Sequence, residues 1–408
     1  MTPVPVDLVA IRAAARLLEG VTWRTPVERS TSLAQAVGGP VWLKCENLQR
    51  TGSFKLRGAY VRLSRLSPAE RACGVVAASA GNHAQGVALA AQMLGISAVI
   101  HMPRDAALPK LDATRAYGAT VRQHDGGLAA ALRAAQVHAE ESGRILIHPF
   151  DHADVVAGQG TIGLEILEQV PDARTILVPA GGGGLLAGVA AAVHESGSAA
   201  RVVGVQAEGA AAFPGSLAAG RPVALDAMST MADGIAVGLP GDVPFPLVQD
   251  HVDEICTVSE EQIARALLML TERAKLTVEP AGAVGVAALL DAPTAFEAPV
   301  VVVLSGGNVD PLVLLRALRY GLAAAGRYLR MRVRVQDHPG SLAALLAALA
   351  ETGGNVVAVE HTRTADALRV SEVEIAVELE TKGTAHCVEV VAALRAKGYG
   401  VSTTRHGG

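Results

Sequence analysis

Between about Val41 and Asn308 the chain repeats one pattern: a short apolar run rich in β-branched residues, then a longer alanine-rich amphipathic stretch. The runs include "GVVAAS", "SAVIHM", "RILIHP", "TILVPA", "RVVGVQ" and "VVVVLS", and none of them alternates apolar with polar residues. A strand that is apolar on both faces has to be covered on both, and helices that intervene between successive strands supply that cover. The expected body is therefore a doubly wound α/β protein built on parallel sheet. With 408 residues there is enough chain for two or three domains, each with its own core.

Composition narrows the function classes. A formal charge of −4 and 3% aromatic residues leave neither a phosphate-neutralising field nor a stacking platform for bases, so no nucleic-acid partner is expected. Cys45, Cys73, Cys256 and Cys387 are scattered without a C-x-x-C pair, which suits a reducing compartment and buried, small apolar roles. The start of the chain carries acidic residues and an amphipathic helix pattern in place of a secretory signal. No apolar segment has the length of a membrane span, so a cytoplasmic protein is expected.

Three of the runs end in glycine-bearing turns: "SAGNHAQG" (Ser79 to Gly86), "PAGGGGLLAG" (Pro179 to Gly188) and "SGGN" (Ser305 to Asn308). In open α/β sheets ligands bind beyond the carboxyl ends of the strands, so these turns are expected to face one crevice. The four glycines Gly181, Gly182, Gly183 and Gly184 open a helix, where free backbone N–H groups and the helix dipole suit a phosphate. The Gly-Lys-Ser/Thr of a nucleoside triphosphate loop is absent. Gly182, Gly184 and Ala187 also fit the loose G-x-G-x-x-A pattern of dinucleotide folds, with Glu208 placed as a ribose-binding acid, which keeps a nicotinamide-dependent oxidoreductase open. A lysine, Lys55, stands between apolar neighbours in "TGSFKLRGAY". Alone it reads equally as a snorkelling side chain. With a phosphate cradle and polar glycine turns it supplies the parts needed to hold pyridoxal phosphate.

In this order "SFKLRGA", "SAGNHAQG", "PAGGGGLLAG", "VEPAGA" and "SGGN" resemble the threonine and serine dehydratases of the fold-type II pyridoxal-phosphate family, over roughly residues 10 to 320. The resemblance implies a fold of two parallel-sheet subdomains within residues 1–325, the smaller one, about 46–150, inserted in the larger. It implies Lys55 as Schiff-base lysine and general base, with Phe54 beside the pyridine ring, Gly181 to Gly184 on the phosphate, Asn82 on the ring oxygen and Ser305 at the ring nitrogen. Ser79, Ala80, Gly81, Asn82 and His83 would surround the substrate carboxylate.

The activity implied is β-elimination of L-threonine to 2-oxobutanoate and ammonia, and of L-serine to pyruvate and ammonia. A serine racemase or a 3-hydroxyaspartate dehydratase on the same scaffold is the alternative. Racemases resembling this chain carry serine where Ala80 stands, and alanine has no proton to give. No metal site is expected, since Gln206, Ala210 and Ala212 occupy the places where cation-binding relatives have acids. Glu279 is read as lying near the ring or as a helix cap, and Arg57 as a phosphate-attracting or a solvated side chain.

After Gly326 the composition changes. "YLRMRVRVQ" and "EVEIAVELE" alternate strictly, each is followed by a helix pattern, and a short strand closes the chain. The order βαββαβ over residues 326–408 is that of a ferredoxin-like module, with the linker placed near Ala323 to Arg327. "DHPGSL" and "GGN" resemble turns of an ACT domain, which implies an amino-acid effector and regulation, isoleucine or valine being expected of a biosynthetic enzyme. The same turns also read as ordinary caps. A homo-oligomer, dimer or tetramer, is the expected assembly.

Overall fold

The runs that lack a polar face are buried from end to end: Val75–Ala78, Ala98–Pro103, Thr175–Pro179 and Val300–Val303 contain no exposed residue. The computed structural model describes residues 6–363 and 368–403. The first residues of the N-terminal reading, 1–5, and residues 364–367 and 404–408 of the C-terminal module lie outside it. The strands in chain order are β1 (Val27–Arg29), β2 (Val41–Lys44), β3 (Val75–Ala78), β4 (Ala98–Pro103), β5 (Thr120–His124), β6 (Ile145–Leu146), β7 (Thr175–Pro179), β8 (Arg201–Ala207), β9 (Glu254–Val258), β10 (Val300–Val303), β11 (Tyr328–Gln336), β12 (Asn355–Thr362), β13 (Glu372–Glu380) and β14 (Gly400–Thr403).

Two parallel sheets share the first compact unit, Met1–Leu314. A six-stranded sheet runs β1-β2-β10-β7-β8-β9, with only β1 antiparallel. A four-stranded sheet, β5-β4-β3-β6, is made entirely from chain lying between β2 and β7. The core of the larger layer joins Ile11, Ala14 and Leu18 to Ile162, Val189, Ile176 and Val301, so the helices Leu8–Leu18, Ala153–Gln169 and Gly184–Glu195 pack on the sheet and on one another. In the smaller layer the helices Lys55–Ser64 and Asn82–Leu94 cover one face, Leu56, Leu63 and Val87 packing in one core with Ile100 of β4. The helix Gly127–Ser142 covers the other through Ala131 and Ala135.

Close helix crossings tie the two layers together where the site lies. A Cβ added at Gly158 would stand 2.6 Å from the Gly58 Cα, and one at Gly188 only 2.4 Å from the Val156 carbonyl. Helix Lys55–Ser64 therefore rests directly on helix Ala153–Gln169, which rests on helix Gly184–Glu195; any side chain at these crossings would force the helices apart.

The second unit, Leu315–Gly408, holds β11 to β14 as an antiparallel sheet of order β12-β13-β11-β14. Its core takes the inward residues of the alternating strands, Met331, Val333, Ile375 and Val377, against Leu345, Leu349, Val390 and Leu394 of the two helices. The stretch Ala323 to Arg327 is the end of a helix, Pro311–Ala324, and the turn into β11. Of the cysteines Cys45 is buried, whereas Cys73 is exposed on a short helix, contrary to the buried role expected for all four.

Candidate active site

The turn before Lys55 is stitched to the end of β10. Phe54 N–H donates to the Ser305 carbonyl at 3.1 Å, Ser53 and Gly306 form an isolated bridge, and Gly307 N–H donates to Gly52 O at 2.8 Å. Asn308 extends the stitching: its Nδ2 donates to Thr51 O at 2.6 Å and to Asn82 Oδ1 at 2.9 Å. Asn82 in turn donates to Glu279 Oε1 at 2.7 Å, and Glu279 N–H donates to the Gly306 carbonyl at 3.0 Å. Four segments far apart in sequence thus meet in one hydrogen-bonded ring of turns.

Lys55 opens its helix, partly buried, with Nζ 5.0 Å from the Phe54 ring centroid and donating to the Pro149 carbonyl at 3.1 Å. Burial pushes its pKa down to about 8, against a smaller upward pull from Glu279. A usable fraction of neutral amine, the nucleophilic form, is thereby available near neutral pH. Glu279 is pushed the other way, up to about 7, chiefly by burial and by Asp233, with Lys110, Asn82 and Lys55 pulling it down. It does not cap the helix Pro280–Asp291 through its side chain; Oε2 is buried with no partner.

The turn Ser79–His83 closes the other side. Gly81 N–H donates to Ser79 Oγ at 3.0 Å, and Ser79 N–H donates to the His101 carbonyl, fixing the turn to β4. Ala80 and Asn82 are half-buried, while Ser79, Gly81 and His83 are buried. His83 Nε2 lies 2.9 Å from the Ile147 carbonyl, and burial, aided by Lys55 and His148, drops its pKa to about 3. It is a neutral donor that anchors the turn.

The four glycines begin helix Gly184–Glu195, whose first N–H groups have no intrahelical acceptor. Gly183 has φ 100°, closed to most side chains. A Cβ at Gly182 would stand 2.4 Å from the Phe150 ring, and one at Gly183 2.7 Å from Phe213. The loop is bare backbone packed so closely against Phe150 and Phe213 that no side chain fits there, and its free N–H groups suit an anion. Nothing in the composition of the chain pointed to Phe150 or to the Pro149 carbonyl; both sit in "IHPFD", a segment without periodic or glycine signal.

Arg57 belongs to neither reading given for it. It is 1% exposed, Nε and Nη2 donate to Glu46 at 2.9 and 2.8 Å, and Nη1 donates to Glu165 at 2.6 Å. Lys44, 0% exposed, donates to the same Glu165 at 2.5 Å. Glu208 is exposed at the start of a short 3-10 turn, and Gln206 is buried, its Nε2 donating to Ala180 O at 3.2 Å and its Oε1 accepting from Phe213 N–H at 2.9 Å. Among the described residues no group of three His, Cys, Asp or Glu is arranged to hold a metal.

With this geometry in view, comparison with known proteins is decisive. The model of the family described as pyridoxal-phosphate dependent enzyme matches residues 18–306. The chain belongs to that family. An ACT domain model matches residues 330–396. L-threonine ammonia-lyase of Thermotoga maritima is 46% identical, over 97% of this chain and 99% of the relative, and that of Geobacter sulfurreducens is 45% identical, over 92% and 94%. Among solved structures maize serine racemase superposes with a TM-score of 0.72 at 37% identity, covering 78% of this chain and 98% of its own. The processed threonine deaminase isoform 2 of Solanum lycopersicum gives 0.74 at 37%, covering 77% and 86%. The enzyme is therefore of the fold-type II pyridoxal-phosphate class with a C-terminal ACT domain, and the nicotinamide reading of Gly182, Gly184 and Ala187 is set aside. Among the described residues no helix is long and apolar enough to cross a membrane.

Proposed function

We propose that the enzyme is an L-threonine ammonia-lyase that also accepts L-serine. One observation carries the assignment: relatives of that name align along nearly the whole chain, ACT domain included, at 45 to 46% identity. Joined to an amino acid's nitrogen, pyridoxal phosphate makes the α-proton acidic. The residues do the rest. Gly181 to Gly184 would hold the phosphate by backbone N–H groups, Asn82 would donate to the ring oxygen, and Phe54 would wall the ring.

Ser305 would supply a neutral hydrogen bond at the ring nitrogen, a weaker electron sink than an acid there would give. Such a site favours prompt loss of the β-hydroxyl over transamination. Ser79, Ala80, Gly81, Asn82 and His83 orient the substrate carboxylate. Lys55 Nζ would be the base that takes the α-proton. The α-hydrogen and β-hydroxyl leave as water, and hydrolysis of the resulting unsaturated amine yields 2-oxobutanoate and ammonia. Ala80 offers no proton to the opposite face, which argues against racemisation.

The ACT domain is read as the seat of an amino-acid effector, isoleucine or valine, in a cytoplasmic homo-oligomer. Purified holoenzyme given L-threonine should form 2-oxobutanoate and ammonia in equal amounts, and truncation after Ala325 should preserve turnover while abolishing the response to branched-chain amino acids. A holoenzyme that only inverts serine, or a truncated form that still responds, would refute the respective half of the assignment.

A further inference from the structure

Lys110 is a second lysine at the site, and the reaction described above leaves it idle. It lies on the helix Leu108–Ala116 of the four-stranded layer and is 9% exposed. Its stem crosses the turn Ser79–His83: a Cβ added at Gly81 would stand 2.7 Å from Lys110 Cδ and 3.2 Å from Nζ. Nζ donates to Asp233 Oδ2 at 3.0 Å. Asp233 begins the 3-10 turn Asp233–Ile235 of the other layer, a turn packed against the helix that follows Glu279, where a Cβ at Gly234 would be 2.9 Å from that of Ala281.

The two partners are unequally held. The Lys110 side chain is 11% exposed and that of Asp233 is 58% exposed. A largely buried ammonium needs an anion beside it, whereas a mostly hydrated carboxylate gives up its partner at little cost. The Lys110 ammonium is thus a preformed anion contact at the edge of the substrate turn, filled by the protein's own carboxylate.

We propose that Asp233 occupies an anion subsite on Lys110 and thereby restricts the enzyme to amino acids whose β-substituent is uncharged. The inference rests on the reading of Ser79–His83 as the carboxylate-binding turn. A substrate bearing a second carboxylate has to displace Asp233 from Lys110, and the repulsion between the two carboxylates discriminates against it. With Asp233 made neutral, Lys110 is left near-buried without a counterion, and the second carboxylate of a 3-hydroxy dicarboxylic amino acid supplies one. Specificity is held by one ion pair between residues of the two sheet layers.

The test uses full-length holoenzyme. In Asp233→Asn the ratio of kcat/KM for L-threo-3-hydroxyaspartate to that for L-threonine should rise about tenfold or more, mostly through KM, and the rise should shrink with added salt. It should vanish in Asp233→Asn/Lys110→Gln; Asp233→Ser serves if the amide variant folds poorly. Binding of succinate, which cannot react, is read by calorimetry: tighter binding to Asp233→Asn than to wild type supports the subsite, whatever substrate the wild type prefers. An unchanged ratio, a gain that survives Lys110→Gln, or equal succinate binding overturns it. Wild-type enzyme inert toward threonine would instead refute the proposed activity, and the succinate comparison would still decide the subsite.

Discussion

Replacing Arg57 by methionine keeps a long side chain in place but removes the hub of a buried charge network two residues from Lys55. In the wild type two cations, Lys44 and Arg57, balance two carboxylates, Glu46 and Glu165. Glu46 is 0% exposed, and burial, which alone would raise its pKa, is outweighed by Arg57 and then Lys44, so it stays below the usual carboxylate value. Without Arg57 one buried negative charge is left uncompensated, and breaking a buried pair in this way costs about 3 to 5 kcal/mol.

The cost must depend on pH. A carboxylate with a depressed folded pKa stabilises above its unfolded pKa, and that contribution is lost as pH falls through the folded value. In Arg57→Met the sign reverses for Glu46, which then prefers to be protonated in the folded state and no longer penalises folding once acid supplies the proton. The gap between variant and wild type should therefore be widest at neutral pH and narrow toward about pH 5. Urea unfolding followed by near-UV circular dichroism measures it, with Arg57→Met/Glu46→Gln expected to recover part of the loss. A cost below about 1 kcal/mol, the worth of an exposed pair, or a gap independent of pH would refute the reasoning.

Other outcomes follow from the site. Lys55→Ala should abolish turnover and the borohydride-sensitive absorbance of the bound cofactor, and in wild-type apoenzyme the rate of cofactor capture should climb with pH and level off above about 8, where the amine is neutral; a flat pH profile would count against the lowered pKa. Gly182→Ala puts a methyl 2.4 Å from the Phe150 ring and should weaken cofactor binding by about tenfold or more, measured by fluorescence titration. Glu279→Gln should stabilise the apoenzyme at pH 8 and leave it nearly unchanged at pH 4: a group whose folded pKa is raised loses stability as pH rises from its unfolded value to about 7. Thermal melts at the two pH values check this, and equal effects at both would contradict it.

Much of this site can be read along the chain because its parts are local. Four glycines after "TILVPA" can only make a bare turn, and a lysine at a helix start beside Phe54 keeps its amine near apolar surface. The alternation of Met331, Val333 and Val335 gives one buried face for β11. Other features have no local signal. Arg57 looks like any basic residue on a helix, and its burial depends on Glu46 and on Glu165, the latter 108 residues away. The partner of Lys110 lies 123 residues along the chain, and the Phe150 ring behind the cradle comes from an unremarkable loop. His83 carries the same letter whether it titrates or stays neutral; its burial, with Lys55 nearby, decides.

The sequence alone determined the layering, the order of the strands along the chain and the chemical groups offered at the strand ends, because burial on one face or two is written in the period of neighbouring residues. The tertiary structure alone decided which charges meet. Ion pairs and pKa values are set by distance and desolvation among residues that the chain brings together from far apart. No short stretch contains that information, so the amine of Lys55, the carboxyl of Glu279 and the pair Lys110–Asp233 acquire their character only when the two parallel sheets close on one another.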